Sequence, residues 1–184
     1  LQWIDAKIAK DTGEGRQVLA SEIKGHFQLA GVTIKGRADR IDRGTDGQLI
    51  VVDYKTGAPP KPKQVEMGFA LQLGTLALMA AAGGFEGIAG VPNGFEYWSF
   101  GKSDKSETGF GYDDEPVLEP PKRSGIPRDQ FLSETERFLR EAIDKWIKGS
   151  EPFTARLNPD LAGYNDYDQL MRLDEWQARG GAEG

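Results

Sequence analysis

The chain has no cysteine. That excludes disulfides, thiolate nucleophiles, zinc–thiolate sites and cysteine-ligated iron–sulfur clusters. Histidine is almost as scarce: His26 stands alone, so no centre built from two or more imidazoles can form. A Ser-His-Asp triad is disfavoured as well, because His26 falls in a strand-like stretch. No apolar run approaches the roughly 18–20 residues needed to cross a bilayer. The opening Leu1-Gln2-Trp3-Ile4-Asp5 lacks both the basic and the apolar regions of a signal peptide. A cytoplasmic location without membrane contact is the expectation. Basic charge is also in deficit, with 23 Lys and Arg against 29 Asp and Glu and a net charge of -6. Unaided nucleic-acid binders are usually basic, because Lys and Arg displace condensed counterions from phosphates. A stand-alone DNA binder is therefore disfavoured. A nuclease is not, since carboxylates that collect divalent cations are themselves negative and the DNA can be delivered by another component.

The length of 184 residues suits one domain with a real core, and the whole chain is read as one. Trp3, Ile4 and Ile8 recur at helical spacing up to Asp11-Thr12-Gly13. With no initiating Met, this opening reads as the end of a helix in a piece of a larger protein. Val18–Ile23 and Phe27–Lys35 read as strands punctuated by Gly25 and Gly31. Arg37–Arg43 continues them, and Gly44–Gly47 makes a tight turn. Gln48–Tyr54, QLIVVDY, is the apolar run of a strand covered on both faces. A loop then leads to a helix from about Pro62 to Ala82, ended by Gly83-Gly84. Phe95–Phe100 reads as a strand and residues 101–125 as an excursion loop. Ile126–Lys148 is an amphipathic helix stopped by Gly149. With the extended FTARL near residue 155 and a polar helix near Asp166–Arg179, it forms a helical extension over 126–184. The order helix, antiparallel strands, helix, strand, helix indicates an α/β domain.

Two stretches carry chemistry: Gly36-Arg37-Ala38-Asp39-Arg40-Ile41-Asp42, and Val51-Val52-Asp53-Tyr54-Lys55-Thr56-Gly57. Each strand delivers a carboxylate, and the second adds an ammonium two residues later. The two-residue period of a strand puts Asp53 and Lys55 on one face and Tyr54 on the other. Charge at the end of an apolar strand is costly unless it is paired or bound to metal. Two hard oxygen ligands recruit Mg²⁺ or Mn²⁺, which activates water and stabilises charge on phosphorus. A neighbouring lysine stabilises developing phosphate charge. The set suits phosphodiester hydrolysis. Asp42 competes with Asp39 as the ligand from the first strand, both being read as lying on one face, and the Gly-x-x-Asp register favours Asp39.

GRADRID followed by VVDYKTG resembles the RecB-like branch of the PD-(D/E)xK nuclease superfamily. The Pro-rich helix entry, Gln72-Leu73 and Gly83-Gly84-Phe85 resemble the C-terminal nuclease domain of AddB-type helicase–nuclease subunits. The resemblance implies a restriction-endonuclease-like core, a central mixed sheet flanked by helices. It further implies Mg²⁺-dependent, exonuclease-type DNA cleavage in double-strand-break repair beside an AddA-type subunit. Matched residue by residue, Asp39 and Asp53 stand at the metal-binding aspartates, the Tyr54 backbone carbonyl at a third ligand and Lys55 at the catalytic lysine. Glu22 stands at the acidic residue of the first motif, and Gln72 at the glutamine beside the lysine and the DNA. Leu76 replaces a frequent tyrosine, and His26 is in the wrong element to serve as the upstream histidine ligand. An iron–sulfur relative is excluded by the missing cysteines.

Each assignment has a plainer counterpart. Asp53 and Lys55 could be an ion pair that blunts an edge strand, Glu22 a solvated side chain, and Gln72 a hydrogen-bonded helix residue. Lys61, Lys63 and Gln64 are candidate phosphate contacts, although helix-entry lysines usually face solvent. Arg40 and Asp42 are expected to pair structurally, His26 to be structural, and the FEYWSF aromatics and Trp146 to be core or interface residues. The alternative function is a non-catalytic nuclease-fold module that binds a helicase partner or a DNA strand.

Overall fold

The computed structural model describes residues 2–104, 106 and 108–151, which belong to the first of two units of the chain, Leu1–Glu151. The FTARL segment and the helix expected near Asp166–Arg179 lie outside the described residues. A helix α1 (Gln2–Gly13) precedes a long hairpin of β1 (Gln17–Leu29) and β2 (Val32–Arg43), followed by β3 (Leu49–Lys55). Helices α2 (Pro62–Glu66) and α3 (Gln72–Ala81) lead to β4 (Pro92–Lys102) and β5 (Phe110–Asp114). A 3₁₀ turn (Arg128–Gln130), α4 (Phe131–Ala142) and a π-helical turn (Ile143–Ile147) close the described chain.

The strands form one mixed sheet in the order β1-β2-β3-β4-β5, antiparallel except for the parallel pair β3–β4. A parallel pair needs a crossover, which α2 and α3 supply. This is the α/β class expected from the order of elements. In β3, Leu49, Val51 and Val52 are completely buried, as the uninterrupted apolar run implies for a strand covered on both faces. Helix α3 buries Leu73, Gly74 and Leu76–Ala80. A helix apolar on nearly all sides belongs between layers, and α3 packs against both the sheet and α4. Phe95 of β4 and Phe131 of α4 meet with ring centroids 4.3 Å apart.

The elements depart from expectation in five places. The strand expected over Phe27–Lys35 is parted by the hairpin turn at Ala30-Gly31, both at positive φ, and the helix expected from Ile126 begins only at Phe131, because Ile126 bridges to Val117 and a 3₁₀ turn follows. Gly25 does not break a strand: β1 runs straight through it. Glycine is required there because a Cβ would lie 2.5 Å from the Phe85 ring and 2.7 Å from the Gly84 carbonyl oxygen. The helix expected over 62–82 is two helices, because Gly68 takes φ +77 against the Phe138 ring and turns the chain between α2 and α3. The excursion loop expected over 101–125 is shorter. Residues 101–102 finish β4 and Phe110–Asp114 is the edge strand β5. The remainder is closed by a bridge between Val117 and Ile126 and by Arg128, which pairs with Glu115 and, at 2.6 Å, with Glu119. No helix among the described residues is long and apolar enough to cross a membrane.

Gly25→Ala should therefore lower stability to urea by about 1–3 kcal/mol, the usual cost of overpacking a closed contact. Gly13→Ala, where a Cβ meets nothing within 4 Å, should leave the urea midpoint close to the parent's. Equal midpoints for both variants would show that the Phe85–Gly25 contact yields freely.

Candidate active site

The β2–β3 ladder pairs Ile41 with Val51 and Arg40 with Val52. One step further along that register Asp39 faces Asp53, and there the backbone ladder stops. The Tyr54 amide donates instead to Asp39 Oδ2 at 2.8 Å. A side-chain carboxylate thus takes over from the sheet and is tied to the peptide between Asp53 and Lys55. Asp53 is buried at 1% exposure. The Lys55 ammonium lies 2.6 Å from its Oδ2, yet that oxygen receives no hydrogen bond of good geometry. The contact is an ion pair with a misaligned donor, so one buried carboxylate oxygen keeps a lone pair to spare. Gln72, first residue of α3, fixes the lysine from the other side by accepting from Lys55 Nζ at 2.9 Å through Oε1.

Burial is the main reason the Asp53 carboxyl is held above the usual aspartate range; Lys55 pulls it down, and the Asp39 charge pushes it up again. Across the parallel pair Asp53 faces Tyr97, whose ring lies 5.8 Å under Lys55 Nζ. Burial and then the Asp53 charge raise the Tyr97 phenol far above its ordinary value. Tyr97 was not among the expected site residues. The register between FEYWSF and QLIVVDY could have found it, but pairing of strands so distant in sequence is not visible in either one.

The opposite face of the sheet holds a second set of charges. Asp42 is fully buried there with Arg40, two residues away, at 2.8 Å, and with Arg16 at 2.6 Å. The expectation that Asp39 and Asp42 share a face is corrected: residues three apart on a strand point opposite ways, and Asp42 turns to the Arg40 side. Arg16 also reaches Glu96 at 2.8 Å, and Glu96 accepts from the Trp98 indole at 2.8 Å. Arg40 lies 4.7 Å over the Trp98 ring and beside the Tyr54 phenol. Tyr54 packs against Trp98 and Phe100 at 5.9 Å each. Arg40 and Asp42 pair structurally, as expected, but the partners Arg16 and Glu96 carried no local sequence signal.

The remaining expected site residues are not all brought together. Glu22 falls opposite Asp39 in the hairpin register, with a backbone φ of +52. Its carboxylate is more than half exposed and pairs with Arg37 at 2.9 Å instead of entering the site. Gln64 accepts from the Lys61 amide at 2.8 Å through its side-chain oxygen, which makes it a support for the start of α2. Lys63 is exposed on α2. His26 is exposed on β1, and its backbone amide donates to the Gly84 carbonyl at 3.1 Å. Of the FEYWSF aromatics Phe95, Tyr97 and Trp98 are core, whereas Phe100 is 37% and Trp146 41% exposed. Among the described residues no group of three or more His, Asp or Glu side chains is arranged to hold a metal.

The model of the PD-(D/E)XK nuclease superfamily matches residues 2–160. The chain belongs to that superfamily. Its five-stranded mixed sheet flanked by helices is the restriction-endonuclease-like fold of these nucleases. An uncharacterized protein of Rickettsia bellii (strain RML369-C) is 41% identical over 73 residues, 38% of this chain and 9% of that protein. One of Rickettsia typhi (strain ATCC VR-144 / Wilmington) is 43% identical over 68 residues, 35% and 8%. The match thus spans under a tenth of the curated relatives' length. The crystal structure of SSO0001 is similar with a TM-score of 0.37 at 15% identity, covering 81% of this chain and 58% of that one. Superfamily members typically use Mg²⁺ or Mn²⁺. The donor set here fits such an ion in chemistry, with two hard carboxylates and a buried oxygen left without a hydrogen bond.

Because the folded-state pKa of Asp53 is raised, its protonated form is the one the fold prefers. Its contribution to stability is present at low pH and is lost as pH rises from the ordinary carboxylate range through the raised value. In metal-free buffer at pH 7, Asp53→Asn should therefore melt above the parent, with the gap closing as the buffer is acidified. Added Mg²⁺ or Mn²⁺ should raise the parent's Tm and leave that of Asp53→Asn nearly unchanged. A variant that melts below the parent at pH 7 would contradict the electrostatic reading.

Proposed function

We propose that this domain hydrolyses DNA phosphodiester bonds with a divalent cation. The single observation behind the proposal is the convergence of Asp39, buried Asp53 and Lys55 on the β2–β3 end, with one Asp53 oxygen paired to Lys55 but given no well-directed hydrogen bond. Asp39, Asp53 and the backbone carbonyl of Tyr54 are the groups that would hold Mg²⁺ or Mn²⁺. The ion, when bound, supplies Lewis acidity and lowers the pKa of a bound water. Lys55 has three N–H donors; one faces Asp53 and one is taken by Gln72. The third is left for a phosphate oxygen, where a fixed cation stabilises charge that grows toward the transition state. Gln72 acts through Lys55, holding the ammonium at the strand end. Tyr97 keeps its proton and presents a ring beneath the lysine.

Within this reading the GRADRID and VVDYKTG motifs support an exonuclease-type role in double-strand-break repair and recombination, alongside an AddA-type helicase–nuclease subunit in the cytoplasm. Strand delivery by a helicase body also accounts for an acidic domain working on a polyanion. A second reading, a non-catalytic nuclease-fold module that binds a helicase partner or a DNA strand, draws on the Glu22 carboxylate, which turns to Arg37 and leaves two acids at the centre.

Labelled single-stranded and duplex DNA incubated with Mg²⁺, Mn²⁺, Ca²⁺ or EDTA separates the two readings. Cleavage is expected with Mg²⁺ or Mn²⁺ and none with EDTA. Lys55→Ala should lower kcat by about 100- to 1000-fold while keeping the parent's metal-induced rise in Tm. Failure of the parent to cut under any of these conditions would favour the binding module, and cutting by Lys55→Ala at the parent rate would remove the lysine from the chemistry.

A further inference from the structure

The candidate site hangs on Tyr54, because its amide is the donor to Asp39 and its peptide separates Asp53 from Lys55. The Tyr54 side chain points to the opposite face of the sheet, away from Asp53. There it packs on Trp98, its partner in the parallel β3–β4 register, with ring centroids 5.9 Å apart. From a third strand Arg40 lies 4.7 Å over the same indole and beside the Tyr54 phenol. Arg40 directly follows Asp39 in β2. Adjacent residues on a strand point to opposite faces, so Asp39 takes the Tyr54 amide on the α3 side while Arg40 reaches the Tyr54 ring on the other. One dipeptide thus holds Tyr54 from both faces of the sheet.

Arg40 is itself firmly held. It is 4% exposed, and its Nε donates to both Asp42 oxygens at 2.8 and 2.9 Å. Trp98 is fully buried, and its indole N–H donates to Glu96 at 2.8 Å. A purely structural account would have Arg40 present to neutralise the buried Asp42. Asp42 already has Arg16 at 2.6 Å, so that charge keeps a partner without Arg40. Nor does a buried ion pair make a core more stable than apolar side chains of similar volume. What only a guanidinium supplies is a flat cation that hydrogen-bonds a carboxylate while lying over an aromatic ring. That arrangement sits directly behind the Tyr54 peptide.

We propose that Arg40 is a positioning residue of the candidate active site. Clamped by Asp42 and Trp98, it holds Tyr54 from behind, which keeps the Tyr54 amide on Asp39 and the Asp39 carboxylate beside Asp53. It touches neither a cation nor DNA and acts through Tyr54. The role rests on the cleavage reading for its chemical consequence, since two carboxylates fixed side by side are what a divalent cation needs. The clamp itself is a property of the metal-free fold. Residues that orient metal ligands from the layer behind them are worth roughly 10- to 100-fold in metal affinity or activity.

The test is amide hydrogen exchange by NMR on the metal-free full chain, read as the rate at residue 54 relative to the Val51 amide of the same strand. Arg40→Lys keeps a positive charge beside Asp42 but loses the flat fork. It should raise that ratio by about tenfold, the scale of one weakened hydrogen bond. In the same variant Mn²⁺ half-saturation should rise by about tenfold, and kcat in Mg²⁺ should fall with KM for DNA little changed. The control Gly25→Ala, which loosens the fold away from Tyr54, should not raise the ratio. Tyr54 is half-buried, so Tyr54→Ala should fold, and it should shift Mn²⁺ half-saturation as Arg40→Lys does. Arg40→Lys added to Tyr54→Ala should bring no further shift, because both changes act through one side chain. An unchanged ratio in Arg40→Lys, or rates at 54 and 51 that rise together, overturns the clamp and leaves Arg40 a structural residue. A full additional shift in the double variant overturns it as well, because Arg40 then acts by another route. Should Arg40→Lys fail to fold, Tyr54→Ala decides: a raised ratio at residue 54 supports the clamp, and the parent's ratio overturns it. The exchange readout needs neither metal nor DNA, so a parent that never cuts removes the cleavage reading while the ratio still decides the clamp.

Discussion

The arrangement of this domain turns on one hydrogen bond, from the Tyr54 amide to the Asp39 carboxylate. At that point the ladder between β2 and β3 exchanges a backbone acceptor for a side-chain one. The exchange keeps the amide satisfied, as a buried donor must be. It also draws the second carboxylate to within electrostatic reach of Asp53. Two acids side by side at the end of a buried strand repel each other, and burial adds to the cost of charging Asp53. Lys55 offsets that cost only in part, since its contact with Asp53 Oδ2 is close but poorly directed. The site is left favouring additional positive charge, and the PD-(D/E)XK superfamily to which the chain belongs typically meets that need with a divalent cation.

The two faces of the sheet share the work of holding this geometry. On one face α3 places Gln72 against Lys55, and the apolar body of that helix anchors the contact to the core. On the other, Arg40 lies between Asp42, the Trp98 ring and the Tyr54 phenol. Asp42 is in turn shared with Arg16, which follows α1 and continues to Glu96. A buried charge network of this kind is weak evidence for stability, but removing one member is costly because it strands the others. Here the network backs the same Tyr54 peptide whose amide binds Asp39. The chemistry on one face is thereby coupled mechanically to ion pairs on the other.

A net negative domain proposed to cut DNA needs its cations in the right place rather than in excess. Two of the acid-free segments, 23–38 and 54–65, carry cations and form the outer hairpin and the stretch from the end of β3 into α2. Both adjoin the Asp39–Asp53 pair in sequence, whereas Asp42 and Glu96 lie in the back-face network and Glu134, Glu136 and Glu141 pair with cations on and just after α4. Local field, not total charge, then decides where a phosphate is attracted.

Much of this was legible in the linear chain. QLIVV reads as a doubly covered strand because its apolar run has no solvent face, and DYK at its end places Asp53 and Lys55 on one side by period alone. Glycine was harder to read: Gly25 and Gly68 look alike in sequence, yet one lies inside a strand against Phe85 and the other turns the chain between two helices. Period also argued against the same-face reading of Asp39 and Asp42. Its consequence became evident once Arg16, Arg40 and Trp98 were seen around Asp42. Tyr97 beneath Lys55, Glu22 turned to Arg37, and Arg16 bridging Asp42 to Glu96 depend on which strands become neighbours. The sequence by itself determined the alternation, the residue types of the candidate site and their order along the chain. Only the tertiary structure decided which charges meet, because ion pairs between residues as far apart as 16 and 96 are set by strand order and register, and neither is a property of any local stretch.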